Sequence, residues 1–289
     1  SAIRWIPNIF LSQEEVDAFK SESTENDETE TVNTSLIRIA PAAESGTETV
    51  DDGVELIAIT RGTAKGKLLI VRDPSRVILG VSSEEFNAKT PGLQLTELVA
   101  KYGGVAGTNA GGFNDENGRG NGGVPQGLVI SGGALLHTAR EGERYNVVGF
   151  DADHILHVGT MTADEALAQG LTDAVSFRTH DGLASSLIIN GEVQSKNLGG
   201  GVNPRTAIGQ CADGSVLLLV LDGRSINTLG ATMQDVADIM LEYGAVNAGN
   251  LDGGSSSVMV YDGEIINNCA SVTGPRNIPT AFIVLPEGD

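Results

Sequence analysis

The segment from Asn250 to Ser257 places one carboxylate, Asp252, beside a run of small polar residues. A Gly-Ser run by itself is typical of a flexible linker, and that remains the alternative here. Apolar stretches precede the segment at 245–248 and follow it at 258–261, however, which favours a strand that ends near Asp252 and turns sharply where only glycine fits. Such a turn exposes backbone N–H groups and hydroxyls around the carboxylate. The pattern therefore predicts a ligand site.

A guanidinium and a second carboxylate flank a predicted β-hairpin. Arg205 begins one apolar run, the pair at 213–214 (Asp-Gly) supplies the turn, and Asp222 follows the returning run. Antiparallel pairing brings the start of one strand beside the end of the other, so we expect Arg205 and Asp222 at the same rim of a sheet. A structural salt bridge between them is the alternative to a role in a site.

Another glycine-rich stretch overlaps the end of the apolar run at 105–108. Residues 107–113 read Gly-Thr-Asn-Ala-Gly-Gly-Phe and predict a strand that ends in a glycine turn, with a plain surface turn as the alternative. Residues 118–123 match a dinucleotide-binding pattern by letter, but no strand precedes them and Pro125 blocks a following helix. Between these stretches, Asp115 and Asn117 are candidate calcium ligands. The spacing of an EF-hand is absent, and a solvated loop is favoured.

The histidines and serines offer little further chemistry. His154 and His157 lie three apart in a predicted strand and should face opposite sides, which excludes a shared metal ion. His137 and His180 are isolated. The serines at 255–257 lack the Gly-x-Ser-x-Gly pattern of a hydrolase nucleophile, so a serine triad is not expected.

The elements that must position these residues are mostly short strands. Apolar runs predict strands at 54–60, 67–72, 76–79, 105–108, 127–130 and 147–150. Thr162 and Thr232 should begin two helices, the second ending near Tyr243 before Gly244. Hairpin turns are predicted at the Asn-Gly or Asp-Gly pairs at 190–191, 213–214 and 262–263. We therefore expect one α+β domain with a mixed, largely antiparallel sheet core and a few flanking helices.

Charge is concentrated at the start of the chain. The 289 residues carry a net charge of −20, and residues 1–52 hold twelve acidic residues against three basic ones. This balance repels phosphate backbones and argues against a nucleic-acid partner. Residues 12–35 are polar and largely aperiodic, which predicts a solvated acidic spacer over 1–50 ahead of a catalytic domain over 51–289.

Other sequence features bear on membrane spans, signal peptides and disulfides. The chain has no run of eighteen apolar residues, and residues 1–11 lack the pattern of a signal peptide. Because the first residue is not Met, we expect a missing upstream piece. Cys211 and Cys269 permit one disulfide, but two free thiols are favoured.

Five motifs in this order resemble the phosphodiester glycosidase family. They are Asn-Ala-Gly-Gly-Phe at 109–113, Asn-Pro-Arg-Thr-Ala at 203–207, Asp-Gly-Arg at 222–224, the segment at 250–257, and Gly-Pro-Arg at 274–276 before Ile-Pro at 278–279. The resemblance covers about residues 50–286 and departs from the family at Ala110, where glycine is usual, and at Asn114, where a second aromatic is usual.

The resemblance implies a hydrolase that cleaves the sugar C1–O bond of α-glycosyl, GlcNAc-like 1-phosphodiesters on cell-surface or extracellular glycans. No cofactor is expected to be required, and the loop residues Asp115 and Asn117 keep calcium as the candidate ion. Similar bacterial proteins are often exported and carry an N-terminal membrane anchor ahead of an acidic spacer, which implies an extracellular or cell-surface location near a membrane or wall.

Glycosyl phosphodiester cleavage requires a carboxylate beside the sugar and fixed cations beside the phosphate. Asp252 is the expected nucleophile or the base that activates water, Asp222 is the second carboxylate, and Arg205 completes the catalytic set. The expected substrate-binding residues are Asn109, Gly111, Gly112, Phe113, Thr206, Arg224, Gly253, Gly254, Ser255, Ser256 and Arg276. Arg205 and Arg276 would grip the phosphate, and Asn109 would bind sugar hydroxyls or an acetamido group. Retention and inversion both remain open.

Two other classes of protein compete with this hypothesis. A carbohydrate-binding or surface-attachment module would suit the acidic spacer and the glycine-rich turns. It should expose aromatic rings to sugars, yet the single tryptophan, Trp5, lies outside the predicted domain. A calcium-stabilised structural domain depends only on residues 114–121.

Overall fold

Three antiparallel sheets form the framework of this α+β protein. The computed structural model describes residues 31–39, 53–115, 120–177, 185–223, 228–270 and 274–288. The largest sheet has the strand order β1 (Val54–Arg61), β2 (Ala64–Val71), β13 (Val216–Leu221), β12 (Arg205–Cys211), β14 (Ala245–Asn250), β10 (Ser186–Ile189) and β11 (Glu192–Val193). The second runs β16 (Glu264–Ile265), β15 (Met259–Tyr261), β4 (Ala106–Asn109), β17 (Thr280–Val284) and β3 (Val77–Val81). The third runs β6 (Ala134–Thr138), β5 (Leu128–Ser131), β9 (Leu171–Ser176), β7 (Tyr145–Asp151) and β8 (Leu156–Met161).

Three helices flank the sheets, α1 (Leu95–Lys101), α2 (Ala163–Ala168) and α3 (Met233–Glu242). Both predicted helix starts are confirmed, and each is a capping box, because Thr162 pairs with Glu165 and Thr232 pairs with Asp235 at the starts of α2 and α3. The sequence pattern did not predict α1, which begins after a glutamine rather than one of the usual capping residues. Of the described helices, none is long and apolar enough to cross a membrane.

The main core lies where all three sheets contribute apolar side chains. Leu69 and Ile208 come from the first sheet, Phe282 from the second, and Val148 and Phe150 from the third. The rings of Phe150 and Phe282 meet edge to face with centroids 6.1 Å apart. Such a pair contributes about 0.5–1.5 kcal/mol beyond the area it buries, which helps to fix how these two sheets meet. The predicted α+β class with a largely antiparallel core is confirmed.

The three predicted hairpin turns are confirmed. Asn190 and Gly191 connect β10 to β11 with φ angles of 54° and 85°, and Asp262 and Gly263 connect β15 to β16 with φ angles of 50° and 78°. Positive φ at both central residues is what a type I′ turn requires. The third turn closes β12 and β13, and their register pairs Arg205 with Leu221. Arg205 and Asp222 therefore lie at one rim, as the sequence predicts.

Residues 31–39 contact the far end of the largest sheet. The backbone N–H of Asn33 donates to Asn190 Oδ1 at 2.7 Å, and that of Arg38 donates to Ala212 O at 2.8 Å, while Ile37 is buried. These contacts lie at the β10–β11 and β12–β13 turns, which are at the opposite strand ends from Arg205. Most of the predicted spacer, residues 1–30 and 40–52, lies outside the described residues. The boundary near residue 50 stays a prediction.

Two N-terminal deletions should separate stability from activity. We expect removal of residues 1–30 to leave Tm unchanged, whereas removal of 1–50 should lower Tm by several degrees, because it also deletes the hydrogen bonds of residues 31–39 and the buried Ile37. Both deletions should keep kcat/KM within about twofold, a difference below roughly 0.4 kcal/mol. Calorimetry and initial rates provide the measurements. A large loss of kcat/KM in the longer deletion alone would show that residues 31–50 complete the site.

Candidate active site

A cleft of about 350 Å³ opens at the rim where β12 begins and β14 ends. Because these neighbouring strands are antiparallel, with Ala207 opposite Asn250, the residues just before one and just after the other meet there. The lining residues are Phe113, Asp115, Gln126, Phe177, Asn203, Arg205, Asp252, Gly253, Gly254, Ser255, Ser256 and Arg276. Eight of these twelve are residues that the sequence nominates for catalysis or substrate binding. The other four are Asp115, which the sequence nominates for calcium, and Gln126, Phe177 and Asn203.

The backbone around Asp252 is held by a buried amide. Asn109 Nδ2 donates to Asp252 O at 2.6 Å, and Asn109 Oδ1 accepts from Thr206 Oγ1 at 2.9 Å and from Val258 N at 3.1 Å. Asn109 and Thr206 are almost fully buried and do not line the cleft. The sequence predicted that Asn109 and Thr206 would contact the substrate. In the structure their hydrogen bonds instead hold the turn at Asp252.

The carboxyl group of Asp252 has an unusual acidity. Burial raises the pKa of Asp252 to about 7, and the nearby charge of Asp115 acts in the same direction. Hydrogen bonds from the Ser256 side chain and the Gly253 N–H, together with the positive charge of Arg276, oppose this rise in pKa. Near neutral pH both protonation states of Asp252 are populated, as acid–base or nucleophilic chemistry requires.

Arg276 lies in the same cleft with its guanidinium fixed on several sides. Its plane lies over the Phe113 ring, 4.9 Å from the centroid, and Nη1 forms an ion pair with Asp115. Nη1 also lies 3.5 Å from Ser255 Oγ, and Nη2 donates to Gly120 O at 3.0 Å. These contacts hold a planar cation within the electrostatic reach of Asp252.

Arg205 is a second, more deeply buried cation. Its Nε donates to Ala231 O at 3.2 Å, and Nη2 donates to Gly200 O and Gly201 O at 3.1 and 2.6 Å. Burial lowers the pKa of Arg205 from its ordinary value, although the group stays charged at neutral pH. Within the described part of the chain, Nη1 makes no hydrogen bond, so it is available to a ligand in the cleft.

Asp222 does not join this cleft. Its carboxylate accepts from Asn268 N at 3.0 Å and from Asn268 Nδ2 at 3.3 Å, and the residue is buried. The alternative of an Arg205–Asp222 salt bridge is wrong, since no ion pair joins the two side chains in the described structure. The second carboxylate of the cleft is Asp115, which sequence reasoning considered only as a calcium ligand.

The glycine turn offers fewer free N–H groups than its sequence indicates. The Gly253 N–H bonds the Asp252 carboxylate, and the Gly254 N–H donates to Pro204 O at 3.1 Å. Ser255 N has no hydrogen-bond partner among the described residues and remains available. Gly254 has a φ of +64°, which a residue with a side chain rarely adopts.

The glycine turn at 109–113 contributes mainly to packing. Gly111 N donates to Thr280 Oγ1 at 3.1 Å, and Gly112 N donates to Ser176 O at 3.1 Å. A Cβ on Gly111 would lie 2.9 Å from Val175 Cβ, so glycine is needed for this close approach. Of the three predicted contacts in this turn, only Phe113 reaches the cleft.

The other residues considered in the sequence analysis lie in several different places. Arg224 and Asn117 lie outside the described residues, and Asp115 forms an ion pair with Arg276. No cluster of three metal-ligating side chains occurs in the part of the chain that the structure describes. His154 lies in a turn with a φ of 60°, so its predicted place in a strand is wrong, whereas His157 lies in β8 and bonds Asp151 at 2.7 Å.

Both cysteines are free, as expected, and neither lines the cleft. Burial raises the pKa of Cys211 to about 11, with the charge of Asp213 contributing in the same direction, so this thiol is unreactive at neutral pH. The sequence did not identify Gln126, Phe177 or Asn203 as site residues. Asn203 could have been found from its place beside Pro204 and Arg205, whereas the other two come from segments without a distinctive pattern.

Residues 102–285 match the phosphodiester glycosidase family. This chain belongs to that family. The catalytic domain of zebrafish N-acetylglucosamine-1-phosphodiester α-N-acetylglucosaminidase, auto-inhibited by its pro-peptide, has a similar fold, with a TM-score of 0.65 and 19% identity over 90% of this chain and 88% of that chain. A protein of Burkholderia pseudomallei described as exported has a TM-score of 0.53 and 17% identity, covering 78% of this chain and 74% of that one.

A curated relative matches a shorter stretch. An uncharacterised protein derived from the SPbeta prophage of Bacillus subtilis is 38% identical over 87 residues. That stretch is 30% of this chain and 14% of the relative. The phosphodiester glycosidase chain described here therefore spans only a small part of that protein's length.

Proposed function

We propose that this phosphodiester glycosidase hydrolyses the sugar C1–O bond of α-glycosyl, GlcNAc-like 1-phosphodiesters. The products are a free sugar and a phosphomonoester. The observation that carries the proposal is the pairing of a carboxyl group whose pKa is raised to about 7, Asp252, with the fixed guanidinium of Arg276 in one cleft. Family membership and the similar fold of an N-acetylglucosamine-1-phosphodiester hydrolase support the choice of substrate class.

The carboxylate side of the cleft suits the sugar, and the arginine side suits the phosphate. Cleavage builds positive charge on the sugar ring, which ionised Asp252 stabilises as nucleophile or as the base that activates water. The departing phosphate gains negative charge, which the guanidinium groups of Arg276 and Arg205 can stabilise together with the Ser255 N–H. Because phosphate is already a good leaving group, a strong general acid is not required.

Asp115 replaces Asp222 as the proposed second carboxylate. It forms an ion pair with Arg276 and raises the pKa of Asp252. A phosphate bound to Arg276 would compete with Asp115 for the same guanidinium, which would leave Asp115 to interact with sugar hydroxyls or water. We propose that the reaction requires no cofactor, with calcium at Asp115 and Asn117 as the candidate ion.

We also propose an extracellular or cell-surface site of action on glycans. The similar Burkholderia protein is described as exported, and the acidic segment at 1–52 suits a spacer between a catalytic domain and an upstream membrane or wall anchor. The strong negative charge argues against nucleic acid as a partner.

A pair of substrates tests the proposed reaction. We expect release of free sugar from GlcNAc-α-phosphoryl-methyl, and turnover of the matching methyl O-glycoside that is slower by about a hundredfold or more, since the proposed cations stabilise a departing phosphate and not an alkoxide. Reducing-sugar release provides the measurement. Equal rates on both substrates would indicate an ordinary glycosidase. Sugar binding without turnover of any diester would favour the carbohydrate-binding module.

A further inference from the structure

The outermost strand of the largest sheet, β1, has an open outer edge between Leu56 and Thr60. Among the described strands, β1 pairs with β2 only, in one unbroken register. It contains no proline and no bulge, and its two charged residues, Glu55 and Arg61, lie near its ends. Proline, bulges and central charges are the features that usually protect an exposed edge, so this edge is suited to pairing with another strand.

The other outer strands of the three sheets are short, irregular or covered. β11 and β16 have two residues each. In β3, Leu79 N donates to Asp173 Oδ1 at 3.0 Å and Leu79 O accepts from Ser131 Oγ at 2.9 Å, so the third sheet covers that edge. In β8, Leu156 N donates to Gln210 Oε1 at 2.7 Å, and the pairing of β6 with β5 contains a register shift. Of the strands that the structure describes, β1 is therefore the long, regular one with an open side.

The backbone groups of Leu56, Ala58 and Thr60 point away from β2. Arg72 N donates to Gly53 O at 2.9 Å, so Gly53 belongs to the residues that bond toward β2. In an antiparallel ladder such residues alternate with residues whose N–H and C=O groups point the other way. The odd-numbered residues of β1 therefore bond to β2, and the N–H and C=O groups at 56, 58 and 60 face outward. All three of these residues are exposed.

A second copy of β1 fits this open edge. When two β1 strands run antiparallel about a two-fold axis at Ala58, each Leu56 lies opposite Thr60 of the second copy, and the two Ala58 residues lie opposite each other. The outward-facing residues then form the hydrogen-bonded pairs of the new ladder, with about six backbone hydrogen bonds between the chains. The exposed Leu56 side chain, which is 38% accessible in the single chain, is partly covered by Thr60 of the second copy.

The side chains on the other face of β1 select that register. Glu55 lies opposite Arg61 of the second copy, and the two-fold axis makes this pair occur twice. Between the charged pairs, Ile57 lies opposite Ile59 of the second copy, which continues the apolar cluster that both residues join in the single chain. A shift by two residues in either direction would set Glu55 opposite Ile59 or Thr63 instead. Opposite charges directly across a ladder stabilise it, so the register centred on Ala58 is favoured.

Both charged side chains can accept this additional partner. Arg61 Nη2 donates to Asp238 Oδ2 at 2.8 Å on α3, which holds the guanidinium at the end of the strand, and 38% of the Arg61 side chain is exposed. Glu55 Oε2 lies 4.0 Å from Arg72 Nη2, beyond hydrogen-bond distance, and 54% of the Glu55 side chain is exposed. Each charge therefore has room for a further partner of opposite sign.

We propose that this chain forms a two-fold symmetric dimer through β1, in which the two largest sheets join into one continuous sheet. Such a contact uses the same surface of both copies and is closed, so assembly stops at two chains. Arg61 lies at the strand ends near Arg205. Because the two β1 strands are antiparallel, the rims that carry Arg205 and Asp252 lie at opposite ends of the joined sheet. Both catalytic clefts stay open.

Cysteine cross-linking tests the register. Ala58→Cys places one thiol from each copy at the two-fold axis, with Cα atoms about 5.5 Å apart, and should give a cross-linked dimer under mild oxidation. Thr60→Cys is the matched control, because its two copies would be separated by roughly 13 Å along the ladder and should not cross-link. A mixture of Leu56→Cys and Thr60→Cys chains should cross-link, since these positions lie opposite each other. All three variants keep Cys211 and Cys269, so the background is the same.

Sedimentation of the full chain over a range of concentrations tests the dimer itself. We expect a monomer–dimer equilibrium whose Kd rises by about tenfold or more in Ala58→Lys and in Glu55→Lys, because each substitution sets like charges directly opposite across the interface. Ala134→Lys, an exposed alanine on β6, is the matched control and should leave Kd unchanged. The kcat/KM of each chain should stay within about twofold in all three variants, since none of these residues lines the cleft.

Several results would overturn the dimer. They are a chain that stays monomeric at high concentration, a dimer that Ala58→Lys leaves intact, and cross-linking of Thr60→Cys as efficient as that of Ala58→Cys. Hydrogen exchange adds a further check, because the Ala58 amide should be protected only at concentrations where the dimer forms. Equal protection in the monomer would show that another segment of the same chain covers the edge, and would also overturn the proposal.

Discussion

Replacement of Asp252 by asparagine should lower kcat by at least about a hundredfold and, above pH 7, stabilise the fold. The loss of activity follows because an amide can neither attack the sugar nor accept a proton from water. Asparagine is close in size and can still accept a hydrogen bond from Ser256, so the turn should persist. The substitution should thus lower activity and raise stability. A residue that serves only the fold would lose stability when replaced, so the two measurements together distinguish a functional role from a structural one.

The gain in stability follows from the raised pKa of Asp252. The folded chain binds this proton with a pKa of about 7, against an ordinary value of 3.8, so from about pH 4 to pH 7 the folded state holds more protons than the unfolded state. The free energy of unfolding therefore falls as the pH rises through that window. Above pH 7 the ionised, buried carboxylate lowers the free energy of unfolding by its full amount, up to about 4 kcal/mol at about 1.36 kcal/mol per pKa unit. Asparagine has no charge to bury and avoids it.

Thermal unfolding of the wild type and the Asp252→Asn variant from pH 4 to pH 8 provides the measurement. We expect Tm of the variant to exceed that of the wild type by several degrees at pH 8, and the gap to close toward pH 4. Asp262→Asn, in the exposed β15–β16 turn, is the matched control. Near-normal kcat in Asp252→Asn, together with a large loss in Asp222→Asn, would return the catalytic role to Asp222.

Local chemistry explains why much of the fold could be predicted. The capping boxes at Thr162 and Thr232 and the type I′ turn at Asn190 are each decided by residues within four positions of one another. The same holds for the Asp252 turn, because Gly254 has a positive φ that few other residues adopt. These features depend little on the rest of the chain, so the sequence pattern was sufficient.

The site depends on contacts between distant segments, and there the prediction was weaker. Asn109 carries a polar group typical of sugar binding, yet its side chain is satisfied by Thr206, Val258 and the backbone of Asp252, all far away in sequence. The ion pair between Asp115 and Arg276 likewise joins two separate loops. Hairpin register correctly placed Asp222 at the rim, but the direction of its side chain depends on Asn268, which no local pattern indicates.

Arg276 should affect both phosphate binding and the acidity of Asp252, and two substitutions separate these effects. Arg276→Lys keeps the charge but loses the planar fork and its fit on Phe113, so we expect kcat/KM on the diester to fall by about tenfold or more. Arg276→Gln also removes the charge, and a loss of about a hundredfold or more is expected. Initial rates on GlcNAc-α-phosphoryl-methyl from pH 5 to pH 9 provide the measurement.

The pH profile of these variants identifies which form of Asp252 is active. If Asp252 acts as the ionised nucleophile or base, kcat/KM of the wild type should rise with pH through about 7. The positive charge of Arg276 lowers the pKa of Asp252, so Arg276→Gln should move that limb to higher pH, whereas Arg276→Lys should leave it nearly in place. A falling limb near pH 7 would assign Asp252 the role of acid. A weakened Gln variant with an unmoved limb would mean that Arg276 acts on the phosphate alone.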